Sequence, residues 1–206
     1  MQKRSQTSRQ ALVRAAVELI ATRRLADVGL VNICNTAGVT RGALYHHFRS
    51  IAELVGEAHA QARERALALA DESFTKGGAD APARFSITLG KALMEDQLVR
   101  AGLRLAPDGT EDPPRLREEV LDRMHAEIMS QAPASTGRSV LADLAVVVTA
   151  GLESLGYADT DWWSEERAGR IWDTLLPLFT EAWPGDANHE EDLSPATAEG
   201  VPGRSR

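Results

Sequence analysis

AGVTRGALYHHF, residues 37–48, is the stretch on which the fold turns. Ala37 closes a helical series, Leu30, Ile33, Cys34 and Ala37, spaced i, i+3, i+4, i+7 along one face. Gly38 follows at once, where a left-handed residue ends a helix without steric cost. Val39 and Thr40 then open another helix, with the Thr40 hydroxyl as its N-cap. Leu44 and Phe48, four residues apart, turn the same way and bury together. Helix, tight glycine turn, helix is the signature of a helix-turn-helix. Upstream, Leu12, Ala16, Leu19 and Ile20 mark one face of a helix from about Thr7 to Arg24, with Thr7 or Ser8 as its cap. Residues 1–50 therefore read as a three-helix head.

The rest of the chain is helical in pattern. Ser50 is placed to cap a long helix over residues 51–74. KGGADAP (76–82), PDGTEDPP (107–114) and QAPASTG (131–137) carry the Gly, Pro and Asp that interrupt helices. Between and after them the expected helices are about 83–95, 96–105, 115–130, 139–155 and 164–183. Pro177 is expected to kink or break the last one, because it lacks an N–H and crowds the preceding turn. Residues 185–206 are acidic and rich in Pro and Gly, and read as a disordered tail. No stretch alternates as a strand would. The expectation is an all-α protein: a helix-turn-helix head (1–50), a helical body for ligand binding and dimerisation (51–184), and the tail.

Charge separates the same parts. The chain carries a formal net charge of −7, which argues against nucleic acid. Yet residues 1–50 hold Lys3, Arg4, Arg9, Arg14, Arg23, Arg24, Arg41 and Arg49 against only Glu18 and Asp27. A basic head on an acidic body is the pattern of a DNA-binding domain carried by one that avoids DNA. No uninterrupted apolar run approaches the roughly 18 residues that cross a bilayer. The N-terminus, MQKRSQTSRQ, lacks the apolar core of a signal peptide. Cys34 is the single cysteine, so no internal disulfide is possible. A cytoplasmic protein without membrane contact is expected.

Catalytic chemistry finds no foothold. Asp159, Asp161, Glu165 and Glu166 cluster in sequence but sit at the start of a helix, where carboxylates are favoured by the dipole. No serine stands in a nucleophile motif. His46 and His47 are adjacent, and with His59 and Glu53 they lack the i, i+4 histidine pair of helical zinc sites. Cys34 falls on an apolar face, as a core residue. The expectation is no enzyme, no metal and no cofactor.

LVNICNTAGVTRGALYHHFRSIAEL, residues 30–54, resembles the DNA-binding region of the tetracycline-repressor (TetR) family. LVRAGLRLAPDG, residues 98–109, resembles a segment of the γ-butyrolactone autoregulator receptors, a subgroup of that family. The resemblance implies a dimeric regulator whose third helix enters the major groove. It places Arg41, Gly42 and Ala43 against base edges and Tyr45 and His47 on the backbone, with Tyr45 also near a thymine methyl. Thr40 and Arg49 flank that helix as phosphate contacts, and Lys3, Arg4 and Arg9 extend them as an arm. The physical chemistry agrees: small residues let a helix sit deep in the groove, and an arginine fork matches guanine O6 and N7. The chain departs from the family at residue 24, which is Arg where Gly is usual, and at residue 51, which is Ile where Lys is usual.

The resemblance also implies a small-molecule effector: an antibiotic, a pathway intermediate or a butyrolactone. The expected lining is apolar, from Leu89, Leu93, Leu98, Leu103, Leu121, Met124, Ile128 and Val147. Butyrolactone receptors carry a tryptophan in the pocket-lining helix after the second break. Here that helix, residues 115–129, has no aromatic, which points away from a butyrolactone. The alternative is a ligand-blind pseudo-receptor or interaction protein with a weakened head. Tyr157, Trp162, Trp163, Trp172 and Trp183 crowd the C-terminal third, as core and dimer interface or as ligand-stacking groups.

Overall fold

The computed structural model describes residues 2–22, 29–105, 115–132 and 137–183, with side chains from Gln6 onward. The described residues form nine α-helices and one 3-10 turn, with no strand. The head comprises α1 (Gln2–Thr22), α2 (Leu30–Ala37) and α3 (Arg41–His47). The body comprises α4 (Ile51–Phe74), α5 (Ala81–Glu95), α6 (Gln97–Arg104), α7 (Leu116–Gln131), α8 (Arg138–Gly156) and α9 (Glu165–Ala182). The 3-10 turn, Thr160–Trp163, joins the last two.

Local chemistry sets most of these ends. Gly38 lies at φ 66°, and the amides that close α2 bond back to Asn35 O and Cys34 O. Thr40 Oγ1 accepts from Ala43 N at 3.2 Å. Ser50 Oγ accepts from Glu53 N at 3.1 Å, while the Glu53 carboxylate accepts from Arg49 N at 2.6 Å. These caps satisfy amides that a helix start otherwise leaves unpaired. α1 differs from expectation: it begins at Gln2, so Thr7 and Ser8 lie inside it rather than capping it. α9 also differs, running unbroken through Pro177. Pro177 and Asp173, the residue whose carbonyl loses its partner, are both exposed, so water can satisfy that carbonyl. The break expected over 76–82 separates α4 from α5, which already begins at Ala81; 107–114 and most of 131–137 lie outside the described residues, as does the 185–206 tail.

Two cores hold the chain. In the head, Leu12, Ala16, Ile20, Ile33, Leu44 and Phe48 pack together and are almost fully buried. Leu54 and Ala58 of α4, and Ala101 and Leu105 around α6, belong to the same cluster. The head is thus seated on the body through apolar contacts beyond residue 50. The body core runs through Ala66, Phe74, Phe85, Leu93, Met124 and Phe179.

Trp163 sits deep in the body. Its indole Nε1 donates to Glu153 O at 3.0 Å, and its ring meets Tyr157 edge-on at 5.0 Å. Glu153 is itself buried and paired with Arg117 at 2.7 Å. Two glycines make room for this tryptophan. A Cβ on Gly156 would stand 1.9 Å from its Nε1, and one on Gly90 would stand 2.9 Å from its carbonyl oxygen.

α8 combines length with an apolar composition. An 18-residue window of this 19-residue helix has a mean hydropathy of 1.5, enough to cross a bilayer by length and composition, although only 33% of that window is buried. This differs from the sequence expectation because Asp143 and Glu153 interrupt the apolar run, yet the many Val, Leu and Ala around them keep the average high. Its outward stripe carries Val140 and Val147, 65% and 66% exposed, and Leu155, 46% exposed.

Candidate nucleic-acid interface

α3 presents one face inward and one outward. Leu44 is fully buried and Phe48 nearly so, anchoring the helix on α1 and α2. The opposite side is open: Thr40, Arg41, Gly42, Tyr45 and His46 are exposed, and Ala43 and His47 partly so. Tyr45 is 56% exposed. Among the described residues none bonds or pairs with the side chain of Arg41. Gly42 has only the Thr40 hydroxyl within 4 Å of where a Cβ would be, so the surface there is low. A short helix with an unpaired arginine, a flat Gly–Ala shoulder and an exposed tyrosine can enter a groove of nucleic acid and donate to base edges. Arg49 is exposed just beyond the helix, beside the Ser50 cap, where it can reach a phosphate.

Seven residues expected at this site, Thr40, Arg41, Gly42, Ala43, Tyr45, His47 and Arg49, thus fall in one continuous segment around α3. Arg9 does not join them. Its guanidinium donates to Glu57 at 3.1 Å and lies 5.0 Å over the Phe48 ring, fastening α1 to α4 and to the end of the head core. That hydrogen bond holds the Glu57 carboxyl below the usual glutamate range. The side chains of Lys3 and Arg4, and all of Arg23 and Arg24, lie outside the described residues. His46 and His47 meet edge to face, with ring centres 5.1 Å apart.

The eight residues expected to line an effector pocket are spread between packed core and surface in the described chain. Leu89, Leu93, Met124 and Ile128 are fully or almost fully buried in packed core, and Leu103 is nearly so. Leu98 sits at the boundary of the two cores, and Leu121 is half-buried on α7. Val147 is 66% exposed on the outer stripe of α8 and cannot share a cavity with the others within one chain. The reason is helical phase: Val147 stands two residues from both Ala145 and Thr149, which face inward. Leu89 and Leu93 border a void of about 10 Å³ beside Trp163.

The larger spaces lie at the surface. A groove of about 510 Å³ between α4, α5 and α9 has Ala83, Ile87, Trp172 and Leu176 for its apolar part and Glu72, Lys76, Asp80, Glu165 and Asp173 around them. A second, of about 410 Å³, runs along α9 between Trp162, Arg170, Ile171 and Leu175. Sequence reasoning missed both: the walls of the first come from helices distant in the chain, and the second opens only because nothing packs over that side of α9. The aromatics are divided: Trp163, Trp172 and Trp183 are buried in the core, while Trp162 lies partly exposed under Arg167, 4.1 Å from its guanidinium carbon.

Residues 12–58 match the family model described as bacterial regulatory proteins, tetR family. The fold is shared with solved structures of that class. CprB from Streptomyces coelicolor, in complex with its operator sequence, is 22% identical, with a TM-score of 0.65 over 84% of this chain and 88% of that one. A γ-butyrolactone receptor described as ArpA-like is 23% identical, with a TM-score of 0.64 over 84% and 87%. A further CprB structure, from S. coelicolor A3(2), is 26% identical, with a TM-score of 0.60 over 84% and 88%. No curated protein sequence matches the chain.

Proposed function

The chain carries a tetR-family DNA-binding head on the fold of TetR regulators, and from that premise we propose that it is a dimeric repressor of a pseudo-palindromic operator. The observation that carries this reading is the exposed face of α3, with Arg41 unpaired and Tyr45 standing out of the surface. Arg41, Gly42 and Ala43 read bases; Thr40, Tyr45, His47 and Arg49 hold the backbone. The outer stripe of α8, Val140, Val147 and Leu155, with Leu178 on α9, supports a four-helix bundle made with a second copy. Two heads held this way meet successive major grooves on one side of the duplex. Repression is then steric, by occupancy of a promoter, in the cytoplasm.

The effector is a small molecule bound by the body that favours a head separation no longer matching the operator. The absence of an aromatic residue from α7 supports an antibiotic or pathway intermediate over a butyrolactone. The control of antibiotic biosynthesis or efflux genes follows from that ligand class. A second reading, a ligand-blind regulator, is favoured by the tight packing around Trp163, where the void beside it measures about 10 Å³. Sedimentation and a gel shift on DNA from the chain's own promoter test the proposal. A dimer whose affinity falls steeply with salt is expected, since phosphate neutralisation releases counterions. A monomer that shifts no DNA at low salt overturns it. Release of the complex by an antibiotic supports the sensor, and silence of every ligand class supports the ligand-blind form.

A further inference from the structure

Arg104 is the last residue of α6, and its guanidinium reaches two elements that are otherwise far apart. Nη1 donates to Ala21 O at 2.6 Å, across 83 residues of chain. Ala21 lies near the end of the described part of α1, and a guanidinium donating to a carbonyl makes a charge-assisted hydrogen bond. The same guanidinium lies 5.1 Å over the ring of Tyr157, directly after α8. Tyr157 is in turn wedged edge-on against Trp163 at 5.0 Å. Its hydroxyl is buried and finds no partner among the described residues. Burial, helped by the nearby Glu153 carboxylate, raises its pKa well above the ordinary tyrosine value, so it stays neutral.

We propose that Arg104 is a positioning residue for DNA recognition, a clasp that fixes the angle of the head on the body by joining the end of α1 to Tyr157. Apolar packing of Ala101 and Leu105 seats α1 against the α6 region, but such contacts tolerate sliding. A guanidinium that must satisfy a carbonyl on one side and a ring face on the other does not. Tyr157 rests on Trp163, so the body end of the clasp is anchored in the buried interior rather than at the surface. The spacing of the two heads in a dimer therefore depends on this junction. The inference rests on the regulator reading given above.

The ordinary alternative is an arginine that merely stabilises a helix end. Two measurements separate them, using the full-length chain and Arg104→Met, which keeps the stem and removes both interactions. The first is binding to operators whose half-sites are moved apart or together by one base pair, a change of about 3.4 Å along the axis and about 35° around it. The wild type is expected to lose affinity at least about fivefold on either change, and Arg104→Met less than about twofold. Tyr157→Leu, without the ring face, is expected to follow Arg104→Met, and Tyr157→Phe to restore the wild-type preference. The second is amide hydrogen exchange in the last turn of α1, without DNA, expected to speed about tenfold in Arg104→Met. Wild-type exchange in Arg104→Met overturns the clasp. Faster exchange with an unchanged spacing preference overturns the positioning role. A wild type that binds no DNA refutes the regulator reading instead, and the exchange measurement still decides whether the clasp exists.

Discussion

Gly156→Ala tests the account of the body most directly. The added Cβ would stand 1.9 Å from Trp163 Nε1 and 2.2 Å from both Cδ1 and Cε2. Carbon contacts settle near about 3.5–4.0 Å, so the indole has to retreat by about 1.5 Å or more. Retreat stretches the 3.0 Å bond from Nε1 to Glu153 O and breaks the edge-on contact with Tyr157. Overpacking a core costs about 1–3 kcal/mol, and a buried donor left unpaired costs about 1–3 kcal/mol more. The expected loss is about 2–6 kcal/mol, a fall in thermal midpoint on the order of 4–24 °C for a chain of this size. Gly56→Ala is the control. Gly56 is also helical, in α4, but it is exposed and nothing lies within 4 Å of a Cβ there. Alanine should stabilise that helix by about 0.5–1 kcal/mol. Thermal unfolding at one fixed protein concentration reads both variants. A Gly156→Ala chain as stable as wild type would mean that Trp163 does not fill this slot, and the packing described for the body would be wrong.

Four other outcomes are expected. Arg41→Ala should cost about 1–3 kcal/mol per half-site and relax specificity, while Tyr45→Phe weakens all sequences evenly; a binding series over operator variants compares them, and equal losses everywhere for Arg41→Ala would assign it to phosphate. Thr40→Ala removes the cap on Ala43 N and should cost about 1 kcal/mol of stability by denaturant titration, with Thr40→Ser close to wild type. Val147→Asp, placing a charge on the outer stripe of α8, should shift sedimentation from dimer to monomer; an unchanged dimer would move the interface elsewhere. Arg9 holds the Glu57 pKa below its unfolded value, so the pair contributes stability above the ordinary glutamate range and loses it as pH falls through the lowered value. Because both side chains are partly exposed, that contribution is under about 1 kcal/mol. Glu57→Gln should remove this part of the acid dependence, and an unaltered profile would show that the pair contributes none of it.

The head was legible because its determinants are local. A glycine that must go left-handed, a threonine cap three residues before the amide it serves, and apolar residues at i and i+4 define α2, the turn and α3 without reference to the rest of the chain. The outward placement of Arg41 and Tyr45 follows from the inward placement of Leu44 and Phe48, since one helix face excludes the other. α4 was legible for the same reason, from Ser50 to Phe74. Arg9 could not be placed this way. Its charge suggested a partner of opposite sign, but only the packing of α1 beside α4 makes that partner Glu57 rather than a phosphate. Val147 could not be assigned a face, because α8 is apolar on more than one side and composition cannot choose which side faces the core when both would be comfortable there. The groove between α4, α5 and α9 and the Trp163 slot are set by helices far apart in the chain. Gly156 and Trp163 carry no mark in sequence of being in contact. Periodicity and capping are short-range physics and can be read from the string; which faces meet, and what is left exposed between them, depends on the simultaneous packing of every helix.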